Sequence, residues 1–148
     1  MERRTHIIFG IFLFVLLWAA FKLDIALSVL VAVGSVFPDL DYRKGLTVYH
    51  RKLAHNIWVM LLAGIIIALV ANSIEFGMAF ALGFMSHMLA DSLTPMGVYP
   101  LYPLKSSHPY FLVGGKAKIT TGSRGEKIFQ AVIVIATVFV ILVISNIL

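Results

Sequence analysis

The stretch Gly83–Pro95, GFMSHMLADSLTP, closes a long apolar run with a histidine, His87, and an aspartate, Asp91, four residues apart. On a helix that spacing puts both side chains on one face, aimed at a common point where they could grip a cation. Ala79 and Gly83 continue the same row backward, and small residues there let a second helix approach closely. The stretch therefore predicts a tightly packed helix that ends in two ligands. The plain alternative is a polar pair at a helix end, with the imidazole placed favourably at the negative end of the helix dipole.

Composition decides what kind of helix this is. Of the 148 residues, 60% are hydrophobic and 13% charged, against about half and a quarter in a soluble domain. Such a chain cannot cover itself with polar surface, so it reads as a single all-α, membrane-embedded domain over Met1–Leu148. Ionisable groups close to lipid depth are costly and usually functional, which favours a site at His87 and Asp91 over an incidental pair. There is no cysteine, so disulfides and thiolate metal sites are excluded and any metal must be held by His, Asp or Glu.

Five apolar segments are visible: Ile7–Phe21, Ile25–Phe37, about Leu53–Ala71, Ile74 to about Asp91, and Lys127–Leu148. A span needs about 17–25 residues. The last three qualify, whereas the first two are short and are expected to thin the bilayer or lie partly in its interface. The first could also be read as a signal peptide, but its cleavage site is poor and it is taken as a span. With the N-terminus in the cytoplasm, Arg3 and Arg4, then Arg43, Lys44, Arg51 and Lys52, then Lys105, Lys116, Lys118, Arg124 and Lys127 all fall inside. Of the twelve lysines and arginines only Lys22 lies outside. The expectation is a bundle of about five spans in the inner or plasma membrane, N-terminus in and C-terminus out. The net charge of +5 is thereby explained by anionic headgroups, without nucleic acid.

The candidate ligands fall on one side of that topology. His6 precedes the first segment, and Asp39 and Asp41 follow the second. His50 and His55 precede the third, His87 and Asp91 end the fourth, His108 lies in the long connection Ser92–Arg124, and Glu126 comes two residues after it. Pro38 should stop the second helix and leave an extended segment, in which Asp39 and Asp41 point oppositely, one as ligand or bridge and the other supporting it. His50 and His55 are about 140° apart on a helix, which places His50 in a loop and His55 on the first turn. Turn-forming aspartates and interfacial histidines explain each motif singly. They do not explain five histidines on one face. Ser123 and Glu126 form a capping box for the last helix.

The motifs THIIFG, PDLDYR, YHRKLAHN, GFMSHMLADSLTPMGVYPLYPL and ITTGSRGE together resemble the YdjM-like membrane-bound metal-dependent hydrolases, in order and over nearly the whole chain. One motif departs: Ala54 and Asn56 flank His55 where the family has Thr and Ser, so hydrogen bonds around that histidine differ while the ligand stays. The family is distantly similar to zinc-dependent phospholipases C and single-strand nucleases, which hold a zinc cluster with an H-x-x-x-D pair. The resemblance implies His6, Asp39, His50, His55, His87 and Asp91 as metal ligands, with two or three ions among them.

An N/O donor set suits zinc, or alternatively manganese. The expected function is a metal-dependent hydrolase that cleaves a phosphoester in a membrane lipid or headgroup at the cytoplasmic face. Asp39 and Asp41 would take catalytic roles, and Arg51 would hold the phosphate of an anionic phospholipid. The alternative is a non-catalytic metal-binding or structural membrane protein. Transport is disfavoured because the mid-span residues are apolar, and a metalloprotease because H-E-x-x-H is absent.

Overall fold

Each apolar run folds as a helix, and local signals set several of the helix ends. The computed structural model describes residues 1–22, 24–40, 52–104, 109–110 and 119–145. Helix α1 (Arg3–Phe21) ends where Lys22 turns left-handed, at φ 50°. Helix α2 (Ile25–Gly34) starts at Asp24, whose carboxylate accepts the Ala26 N–H at 2.7 Å. Helix α3 (Ile57–Val70) is capped by Asn56, α4 spans Ile74–Ser92 and α5 spans Arg124–Ser145. Among the described residues there is no strand, only an isolated antiparallel bridge between Val98 and Tyr110.

Three local expectations are corrected. The segment at Pro38 is not extended: Phe37–Asp39 is a 3-10 turn. Proline's fixed φ suits the first turn of a helix, where its missing N–H is not needed. His55 does not lie on the first turn of α3 but just before its cap. The Asn56 side chain accepts the N–H groups of Trp58 and Val59, both at 3.0 Å, and so starts the helix at Ile57. That cap also shortens the third segment to 14 residues, about 21 Å against a hydrocarbon core of about 30 Å.

Of the described helices, α1 and α5 are long and apolar enough to cross a bilayer, with mean hydropathy 1.5 and 2.9. The first segment, expected to be short, thus reaches spanning length, because its helix begins at Arg3 ahead of the apolar run. Helix α4 equals α1 at 19 residues, but its last turns are given to Ser86, His87, Asp91 and Ser92. On α5, Ile128, Val132, Ile135, Phe139 and Leu142 all face outward, a continuous apolar surface that suits lipid.

Helix α4 is the centre of the bundle. It packs on α1, α2 and α3, and α5 joins through α1. Phe80, Phe84 and Met88 form the buried core, covered by Val59, Met60, Ala63 and Ile67 of α3. Lipid tails are as apolar as these side chains, so close packing holds such helices together more than exclusion of water does. The α2–α4 contact shows this. A Cβ on Gly83 would overlap the Val31 carbonyl oxygen, so only glycine permits the two backbones to meet. The small-residue row read from Ala79 and Gly83 is thus the seat of α2, and it brings Ser35 at the end of α2 onto His87.

Candidate metal centre

The start of α1 is pinned before any ligand is placed. Ser123 accepts the Glu126 N–H at 3.2 Å, as a capping residue should. Gly122, at φ 78°, turns its N–H back onto Glu126 Oε2 at 2.6 Å, a conformation that glycine adopts without strain. Glu126 Oε1 is spent elsewhere: it accepts the Glu2 N–H at 2.7 Å and the Thr5 hydroxyl at 2.6 Å. Gln130 donates to the same hydroxyl oxygen at 2.8 Å. Glu126 is therefore more than a cap. It ties α5 to the first turn of α1 and sets the next residue, His6, in the interior.

Four chain ends then deliver five side chains to one point: His6 from the start of α1, Asp39 from the 3-10 turn after α2, His55 from before α3, and His87 with Asp91 from the end of α4. His55 Nε2 and His87 Nε2 are 2.9 Å apart, their rings inclined at 58°. Asp91 Oδ2 lies 3.4 Å from His55 Nε2 and 3.8 Å from His87 Nε2, and Asp91 Oδ1 lies 3.3 Å from His6 Nε2. Asp39 Oδ1 stands 3.8 Å from His55 and 3.7 Å from His87, and its Oδ2 stands 4.0 Å from His6. The His6 ring lies flat on that of His87, centroids 3.6 Å apart and planes within 16°. The amino-terminal nitrogen of Met1 reaches Asp91 Oδ1 at 2.7 Å.

The chemistry of the donors fits a metal. The His87 Nδ1–H donates to the Ser35 carbonyl oxygen at 2.8 Å. A carbonyl can only accept, so Nδ1 carries the proton and Nε2 presents a lone pair to the cluster; such a bond fixes the tautomer of a ligating histidine. Both ring nitrogens of His6 are buried without a hydrogen bond, and a buried polar group so placed costs about 1–3 kcal/mol unless something else satisfies it. Two carboxylates share the same small volume, and a dication would offset their charge where water cannot. These groups could hold a metal ion.

The cluster is nearly sealed. The side chains of His6, His55, His87 and Asp91 are at most 3% exposed, while that of Asp39 is 16% exposed and forms the open edge. Beside it, the exposed Arg3 guanidinium donates to the Asp39 carbonyl oxygen at 3.2 Å.

Of the residues expected at the site, His6, Asp39, His55, His87 and Asp91 come together. Asp41, His50, Arg51 and His108 lie outside the described residues. Sequence reading missed Arg3, Thr5 and Ser35. Thr5 opens the THIIFG motif and Arg3 lies two residues before it, so both could have been noticed, but Ser35 acts through a backbone carbonyl that no residue type reveals. Asn56 answers the departure from the family's motif: it caps α3 as serine would, and its amide also donates to the Lys52 and Leu53 carbonyls at 2.9 and 2.8 Å.

A family model described as YdjM inner membrane protein matches residues 1–148. No curated protein and no solved structure matches significantly.

Proposed function

As the chain belongs to the YdjM inner membrane protein family, we propose that it is a metal-dependent hydrolase of that membrane, acting on a phosphoester in a lipid or a related headgroup. The observation that carries this reading is the convergence of three imidazoles and two carboxylates, with donor atoms 2.9–4.0 Å apart, at helix ends of a membrane protein. A metal held there supplies Lewis acidity, polarising a phosphoryl oxygen and lowering the pKa of water toward about 7.

The chain's own residues do the rest. His87 is held in one tautomer by Ser35, so its Nε2 faces the cluster without reorganisation. Asp39, the one carboxylate at the open edge, accepts a hydrogen bond from an entering water and orients it. Arg3 stands at the same edge, and a guanidinium there offers paired N–H groups to phosphate oxygens. Asp41 and Arg51 are proposed to assist from the segment after Asp39, and His50 to join the ligands. Zinc suits the donor set, with manganese as alternative. An N-in arrangement of the helices, which the bias of lysines and arginines supports, would put the edge at the cytoplasmic surface among basic residues, where anionic headgroups gather.

A non-catalytic metal site is the second reading. The near-complete burial of four of the five groups favours it, since structural sites are closed and catalytic ones keep an open position. One experiment separates the two. Purified protein in mixed micelles with an anionic phospholipid and zinc or manganese should release a water-soluble phosphate product. Chelation should stop this, and His87→Ala and Asp91→Ala should lack it. Hydrolysis retained in both variants overturns the proposal, and tight metal binding with no hydrolysis of any phospholipid class favours the second reading.

A further inference from the structure

The two ring contacts of His87 differ in kind, and the difference bears on how many ions the cluster holds. An imidazole binds a metal in its own plane. The rings of His55 and His87 are inclined at 58° and their Nε2 atoms meet at 2.9 Å, so their lone pairs converge on one point. The rings of His6 and His87 are stacked 3.6 Å apart and within 16° of parallel. Two stacked planes share no in-plane point, so one ion cannot be well placed for both. Ions in the two planes would stand about as far apart as those of two-metal sites, roughly 3.5–4 Å. His87 itself cannot serve both, because its Nδ1 is committed to Ser35.

The carboxylates divide along the same line. Asp91 turns Oδ2 toward His55 and His87 and Oδ1 toward His6. Asp39 turns Oδ1 toward His55 and His87 and Oδ2 toward His6. With arms of 2.0–2.1 Å, a tetrahedral zinc site has edges of about 3.3 Å. His55 Nε2, His87 Nε2, Asp91 Oδ2 and Asp39 Oδ1 are separated by 2.9, 3.4, 3.7, 3.8 and 3.8 Å over the five edges given by the structure. That is one complete four-donor set. His6 Nε2, Asp91 Oδ1 and Asp39 Oδ2 make a second set of three donors, beside the open edge; the Met1 ammonium rests on Asp91 Oδ1 at 2.7 Å, so an ion entering this set takes the place of that amine.

We infer that the centre takes two divalent ions bridged by Asp39 and Asp91. One is enclosed by His55 and His87; the other is held by His6 and keeps a position free for an oxygen ligand. This rests on the reading of the cluster as a metal centre and adds a division of labour: the enclosed ion organises the site and the His6 ion meets the substrate.

The test is metal content, not turnover. Detergent-purified protein equilibrated with excess zinc and desalted should hold two zinc per chain by elemental analysis. His6→Ala should hold one, and His6→Gln should behave alike if the alanine variant is poorly folded. Loaded with manganese, the wild type should give the exchange-broadened electron paramagnetic resonance of a bridged pair, and His6→Ala the six-line signal of an isolated ion. One ion in the saturated wild type, or two retained in both His6 variants, overturns the inference. A one-ion protein that still hydrolyses phospholipid sinks the two-ion centre and leaves the proposed function standing. A two-ion protein that hydrolyses nothing does the reverse, and a protein that binds no zinc overturns both.

Discussion

The carboxylate of Glu126, on the first turn of the last helix, accepts the hydroxyl of Thr5 at 2.6 Å, one residue before His6 on the first. A bond between residues this far apart in the chain positions a cluster neighbour without touching the cluster. Glu126→Ala leaves the Glu2 and Gly122 N–H groups and the Thr5 hydroxyl without this acceptor. Hydrogen bonds to charged groups contribute about 1.5–3 kcal/mol each, so the variant should lose about 3 kcal/mol or more of stability and weaken metal binding at His6. Glu126→Gln keeps one acceptor oxygen and should fall between it and the wild type. Thermal unfolding in detergent and zinc titration check both effects.

Arg3 should act on substrate and not on metal. Its guanidinium is exposed at the open edge beside Asp39, so Arg3→Ala should retain wild-type metal content and fold while raising KM for an anionic phospholipid about 10-fold, the order of one charge-assisted contact. The difference from wild type should shrink as salt is raised. Unchanged KM at low ionic strength would remove Arg3 from the phosphate contact.

Asn56 tests the motif departure. Asn56→Ala should cost about 1–2 kcal/mol by loss of the α3 cap, whereas Asn56→Ser keeps an N-cap acceptor and should stay within about 1 kcal/mol of wild type. Chemical or thermal denaturation of the two variants side by side decides it. Equal loss in both would show that the bonds to Lys52 and Leu53 outweigh the cap.

Gly83 should be intolerant of any side chain. A Cβ there meets the Val31 carbonyl oxygen, and backbone cannot rotate away as a side chain can. Gly83→Ala should cost about 1–3 kcal/mol as overpacking and lower metal affinity, because α2 carries the Ser35 carbonyl that orients His87. Gly83→Leu should fail to accumulate as folded protein. Wild-type unfolding temperature and zinc content in Gly83→Ala would refute the close contact.

Removing metal should loosen the bundle. A ligand that binds only the folded state stabilises it by about 2.7 kcal/mol at a hundred times its Kd. Chelated protein should therefore unfold at lower temperature and recover when zinc or manganese is restored. His87→Ala should start low and show a smaller response to both steps.

The helical nature of the chain, its need for a membrane and the residue types of the candidate centre were legible in the sequence. Composition rules out a polar surface, the runs have helical length, and His87 and Asp91 at i and i+4 can only share a face once that run is a helix. The Ala79–Gly83 row even marked where a neighbour would sit. Each of these follows from spacing along one segment. Local boundaries at Asp39 and His55 were misjudged because a 3-10 turn and an asparagine cap compete with the extended and helical readings over only two or three residues. What only the tertiary structure decided is which atoms meet. His6 stacks on His87 and His55 meets it at an angle; each aspartate presents one oxygen to either side; the Ser35 carbonyl selects the His87 tautomer; Glu126 reaches across to Thr5. None has a signature in residue type, because ring planes, lone-pair directions and backbone carbonyls are oriented by how α1, α2, α4 and α5 pack, and that packing joins residues more than a hundred positions apart.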